Sequence, residues 1–285
     1  MKTHAEKEQG HEPMCGHVYE QVYEQAHEPM CGHVYEQVYE QAHDPVQELD
    51  ETRERLPIRT QIEAYANPRR AAFSASLTPT IDSSRVLGVR VGDLDAIKKK
   101  MTPVQKTAFL QEKPHLYYEE DLLHVRLLNE LRDPQEARSA AEDFLCACTS
   151  WAITDGLSFR YLSDEDLLSM ASDFLQNENE YAVRLGLLWI LKRAPKRPDA
   201  RQWVDLALQA KGQNDTKQLI DIKGWMLCEV MIYKPDLAWS ILEDPAISRD
   251  VRLRAIAKCV ESLRISNDDK EKLRALRKKL KEAKR

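Results

Sequence analysis

Glycine and phenylalanine are scarce, at nine and five in 285 residues. No Gly-x-x-x-x-Gly-Lys-Ser/Thr or Gly-x-Gly-x-x-Gly loop occurs, so the chain lacks the backbone cradle that nucleotide-phosphate enzymes use. No Gly-x-Ser-x-Gly elbow occurs either, which removes the usual serine-hydrolase nucleophile. No run approaches the ~18 apolar residues of a membrane span. The start, Met1-Lys-Thr-His-Ala-Glu-Lys-Glu, has no apolar signal-peptide core. A cytoplasmic protein with no membrane partner is expected. The six cysteines follow no disulfide spacing and suit a reducing compartment. Cys146, Cys148, Cys228 and Cys259 lie in apolar helical runs and read as small buried hydrophobes. Outside the first 56 residues the histidines are His115 and His124, without a cysteine or serine partner at catalytic spacing.

What is present is charge and helix-forming residues. The formal net charge of -5 is unevenly divided. Residues 1–56 hold 13 acidic side chains and 4 Lys/Arg, a net of -9, so the remaining chain carries a net of +4. A mildly basic body permits nucleic-acid binding without requiring it. Residues 11–26, HEPMCGHVYEQVYEQA, recur letter for letter at 27–42. This acidic leader is poor in branched aliphatics and is expected to be largely disordered. Three readings of it stay open: a tag-like low-complexity segment, an interaction tail, or a metal site built from His11, Cys15, His17, His27, Cys31 and His33.

A domain boundary is expected near Leu56, dividing the leader 1–56 from a body 57–285. Helix signals then follow one another. Asn67-Pro68, Thr102-Pro103 and Asp133-Pro134 each read as an N-cap followed by a first helical proline. Ser163 with Asp166 reads as a capping box. Residues 87–94, LGVRVGDL, are the most strand-like but short, and read as a loop feeding a helix over Leu94–Met101. The helix opened by Asp133-Pro134 is expected to reach the Trp151 region. About a dozen helices with no convincing strand exclude a doubly wound sheet. Helix pairs begin roughly every 35–45 residues, the period of HEAT-like repeats. The expected fold is all-α, with helix pairs stacked into a curved solenoid, and a compact irregular helical bundle is the second architecture.

The chain centres on CACTSWAITDG, residues 146–156. Trp151 and Asp155 are four apart, so on a helix they share a face. An indole beside a carboxylate suits a flat cation. It equally suits a core anchor beside a satisfied polar residue at a helix end.

Six blocks together resemble the DNA alkylation-repair family typified by the AlkD glycosylases: LGVRVGDLDAIKKKM (87–101), YYEEDLLHVRLL (117–128), SWAITDGL (150–157), EYAVRLGLLWIL (180–191), DIKGWMLCEVMIYKPD (221–236) and AIAKCVESLRISNDDKEKLRALR (255–277). The resemblance covers about 58–280 and none of the leader. It implies HEAT-like repeats around a basic DNA-binding surface. It also implies removal of N3- or N7-alkylated purines from duplex DNA without base flipping. By that resemblance Asp155 is the catalytic carboxylate and Trp151 packs on the sugar of the lesion. Arg184 contacts the backbone, and Trp225 is a second aromatic in the cleft. Apart from the resemblance, the basic clusters Lys98–Lys100, Lys192-Arg193, Lys196-Arg197 and Arg249/Arg252/Arg254 suit either a phosphate-tracking surface or solvated helix ends, and Trp189, Trp203 and Trp239 read as structural. No metal or organic cofactor is implied, and a monomer is expected. The alternative is a non-catalytic helical scaffold that binds nucleic acid or protein. Two departures stand out. Leu185-Gly186 follows Arg184 where many members carry further basic residues, and the tail around 262–270 resembles a subgroup not uniformly glycosylases.

Overall fold

The computed structural model describes residues 57–210 and 215–282. The duplicated leader, with its proposed ligands, lies outside the described residues. Fourteen α-helices and two short 3-10 turns make up the described chain, and no strand occurs among the described residues. No described helix is long and apolar enough to cross a membrane.

The helix starts follow local chemistry. The Asn67 side chain accepts from the backbone N–H groups of Arg69 and Arg70, and Pro68 opens a helix. Thr102 with Gln105, and Ser163 with Asp166, form reciprocal capping boxes. In order, the helices are α1 (Ile58–Glu63), α2 (Pro68–Leu77), α3 (Val91–Lys100), α4 (Pro103–Gln111), α5 (Tyr118–Leu128), α6 (Pro134–Leu145) and α7 (Trp151–Thr154). Then come α8 (Asp164–Phe174), α9 (Glu180–Arg193), α10 (Ala200–Gln209), α11 (Lys217–Tyr233), α12 (Pro235–Glu243), α13 (Arg249–Glu261) and α14 (Asn267–Glu282).

Two expectations shift. The 87–94 stretch is indeed not a strand, but its helix begins at Val91, three residues earlier than read. The buried Glu119 carboxylate accepts the N–H groups of Leu87, Gly88 and Val89 and so occupies the donors a sheet would need. Gly88 has φ +75°, and a Cβ there would lie 2.3 Å from the Ala71 nitrogen, so only glycine fits this crossing. The helix opened by Asp133 stops at Leu145, short of Trp151. Ser150 then caps a separate four-residue helix, with Ser150 Oγ accepting from Ala152 N–H. Cys146 falls in the break and is exposed, not buried as read, whereas Cys228 and Cys259 are buried.

The odd-numbered helices form a chain of neighbours: α1 packs on α3, α3 on α5, α5 on α7, α7 on α9, α9 on α11 and α11 on α13. The even-numbered α8, α10, α12 and α14 flank α9, α9, α11 and α13 respectively. One large apolar cluster runs from Ile81 to Leu273 and has the fully buried Trp189 within it. Trp189 packs edge-on against Phe159 and Phe174, which gives it the structural role expected. A second cluster, around Ile62, Leu94, Ile97, Phe109 and Leu123, closes the N-terminal end.

Candidate functional site

Three helices supply the centre. Trp151 is the first residue of α7 and Asp155 its C-cap, so the four-residue helix fixes their separation. Arg184 lies in the first half of α9. Its Nε donates to Asp155 Oδ1 at 2.8 Å and its Nη2 to Asp155 Oδ2 at 2.7 Å. Its Nη1 donates to the Gln218 carbonyl on α11 at 2.9 Å. The Arg184 guanidinium carbon stands 5.4 Å from the centre of the Trp151 ring, in cation–π range. One arginine thus ties α7, α9 and α11 together. The pair is largely withdrawn from water, with side chains 7% and 12% exposed. A bidentate, partly dry carboxylate–guanidinium pair is both directional and strong.

The turn after Asp155 is held from behind. Asn129, just past α5, donates to the Gly156 carbonyl at 2.9 Å. Its Oδ1 accepts from Ser158 and Phe159 N–H at 2.8 and 3.0 Å. Trp189 Nε1 donates to the Leu157 carbonyl. On the other side, Cys148 Sγ lies 3.3 Å from Thr154 Oγ1. Burial pushes the Cys148 thiol up, against its bonds to Thr154 and Ser150, with a smaller upward push from the Asp121 and Asp155 carboxylates. Asp121 itself is raised to about 7 by burial, against the pull of Arg85. Asn129 carries no sequence signal of its role, because it acts through contacts that only the fold creates.

Trp225 lies on α11 at half-burial, packed against the large core cluster. It is seven positions after Gln218 and four after Asp221, so the three share one face of α11. Lys192 is exposed at the end of α9. Arg193 points nine positions on from Arg184, about half a turn away, and its Nε donates to Asp164 on α8 at 2.9 Å. Trp151, Asp155 and Arg184 are therefore in contact with one another, while Arg193 is bonded on another face of α9. Gly186 is also accounted for. A Cβ there would lie 2.9 Å from the Ala171 carbonyl, so this position is filled by helix α8 and has no room for a basic side chain. Among the described residues no group of three metal-ligating side chains occurs.

No family model matches this chain, and no curated protein matches it.

Proposed function

We propose that the chain is an AlkD-like DNA glycosylase, built of HEAT-like repeats stacked as a curved solenoid. Its reaction is hydrolysis of the N-glycosidic bond of N3- or N7-alkylated purines in duplex DNA, without base flipping. The observation that carries this reading is the meeting of Asp155 and Trp151 with Arg184, which lies 29 residues beyond Asp155 in sequence. The unbroken neighbour order of the odd-numbered helices supports the repeat stack.

The chemistry asks little of such a site. An alkylated purine of this kind is already a cationic leaving group and needs no proton. The demanding step is charge development on the sugar and attack by water at the anomeric carbon. A fixed carboxylate stabilises the first and orients the second. Arg184 fixes the Asp155 carboxylate through its two-point fork, and the Trp151 face favours a cation beside it. Trp225 lines the cleft, and the exposed Lys192 tracks phosphates, while Arg193 is held by Asp164 on another face of α9. No metal or organic cofactor enters, and the chain acts as a monomer in the cytoplasm.

A non-catalytic scaffold is favoured by one observation. Asp155 and Arg184 satisfy each other, and Arg184 is further bonded to Gln218, as in a purely structural tie. Release of 7-methylguanine and 3-methyladenine from alkylated duplex DNA separates the two. The glycosylase reading predicts release by the wild type and strong loss in Asp155→Asn. No release by either protein, with salt-sensitive DNA binding retained, would establish the scaffold.

A further inference from the structure

Most arginines of the described chain are matched to carboxylates, among them Arg59, Arg126, Arg138, Arg184 and Arg197. Arg132 and Arg160 are not. Each instead sits over the ring of Tyr161, with guanidinium carbons 4.1 and 4.8 Å from the ring centre. All three side chains are exposed, Tyr161 at 46%. Arg132 comes from the α5–α6 connection, and Arg160 and Tyr161 from the α7–α8 connection. Asn129 joins those two connections, since its amide bonds Gly156, Ser158 and Phe159. Arg132 is three residues after Asn129, and Arg160 follows Phe159 directly.

Two guanidinium groups gathered on one tyrosine repel each other, and no carboxylate bonds either among the described residues. The nearest acidic groups in sequence are occupied. Asp133 caps α6 by accepting from Glu136 N–H. Asp164 and Glu165 pair with Arg193 and Arg197, and Asp166 caps α8 through Ser163. The tyrosine ring holds both cations by cation–π attraction while leaving their donor edges free. A guanidinium whose donor edge is free can bond phosphate oxygens in a two-point fork, and here two such groups are held at one ring.

We propose that Arg132, Arg160 and Tyr161 form a phosphate clamp that grips the nucleic-acid backbone beside the Asp155 turn. The choice of nucleic acid rests on the glycosylase reading. The clamp itself rests on the geometry above. Its ligand is a backbone phosphate, and Tyr161 serves as the strut that positions the two arginines.

The test is the salt dependence of binding to an undamaged duplex of about 20 base pairs, measured on the full chain by fluorescence anisotropy. Each phosphate neutralised contributes about 0.9 to the slope of log affinity against log salt. The double variant Arg132→Gln/Arg160→Gln is expected to lower that slope by about 0.9–1.8. Tyr161→Phe keeps the ring and should keep the wild-type slope, whereas Tyr161→Leu should lower it. All three positions are exposed, so thermal midpoints should stay close to wild type. Identical slopes in wild type and the double variant would overturn the clamp. So would a wild type that fails to bind DNA yet is stabilised by inorganic phosphate in an Arg132- and Arg160-dependent way, since the ligand would then be the free ion. A glycosylase assay showing no dependence on Asp155 would defeat the catalytic reading while leaving the slope result intact.

Discussion

Two withdrawn ion pairs in this protein use the same chemistry in different surroundings. Lys223 of α11 donates to both carboxylate oxygens of Asp215 at 2.8 Å and to the Ala210 carbonyl at 2.7 Å. Its side chain and that of Asp215 are 1% and 5% exposed. Burial pulls the Lys223 amine down and pushes the Asp215 carboxyl up, and their mutual bonds work against both shifts. The Arg184–Asp155 pair is equally well bonded but keeps a margin of exposure on both partners and lies over a half-buried indole. The Lys223 pair closes the end of α10 and has nothing to offer a ligand. The Arg184 pair has the half-buried Trp151 ring beside it. Burial and pairing are common to both pairs; what distinguishes the second is its margin of exposure and the aromatic ring beside it.

Breaking each pair sharpens the contrast. Lys223→Met leaves a buried Asp215 without its counter-ion and should cost about 3–5 kcal/mol of stability by urea denaturation. A loss below about 1 kcal/mol would mean that water reaches Asp215 and that the site is not sealed. Arg184→Met should cost less, about 2–3 kcal/mol, because the more exposed Asp155 regains water. Equal costs would erase the distinction drawn between the pairs. Asn129→Ala removes the acceptor for two N–H groups and the donor to Gly156, and should cost about 1–2 kcal/mol. It should also slow any Asp155-dependent reaction by loosening the turn.

A third buried polar pair, with no counter-ion, gives the most pH-specific effect. His115 Nε2 and His124 Nδ1 lie 2.9 Å apart between the rings of Phe109 and Phe144. Burial pulls His115 down to about 4, helped by Arg59, Lys113 and Arg85. Burial likewise pulls His124 down to about 3, helped by His115 and Lys113, with Asp143 opposing. Both histidines are neutral in the fold, so unfolding takes up protons once the pH drops below the ordinary value of 6.5. Their stabilisation is complete above about pH 6.5 and is lost progressively as pH falls toward 4 and 3. Urea midpoints should therefore decline from pH 6.5 to pH 4. A flat profile in wild type would show that the histidines are not held neutral.

Local chemistry was the legible part of the fold. Asparagine, threonine and aspartate before proline, and serine three before aspartate, satisfy helix-end donors through near neighbours, so their spacing was visible. The break before Trp151 was not visible as a break, because the residues from Cys146 to Thr149 are compatible with continued helix. The serine cap at 150 and the sulfur contact of Cys148 become decisive only in three dimensions. At the candidate site, the four-residue spacing of Trp151 and Asp155 could be read directly, and Arg184 entered through the family resemblance. Asn129 could not be read, since its three partners lie 27–30 residues away. Nor could the stacking of Arg132 and Arg160 on Tyr161, because long-range pairing leaves no periodic trace.

The most direct test of the central claim is the single-turnover rate of 7-methylguanine release from alkylated duplex DNA, comparing wild type with Asp155→Asn under conditions where both are folded and bound. A pre-oriented charge at the reacting sugar predicts a loss on the order of 10²–10³-fold. Equal rates in the two proteins would contradict the assignment of Asp155 and return its pairing with Arg184 to a purely structural role.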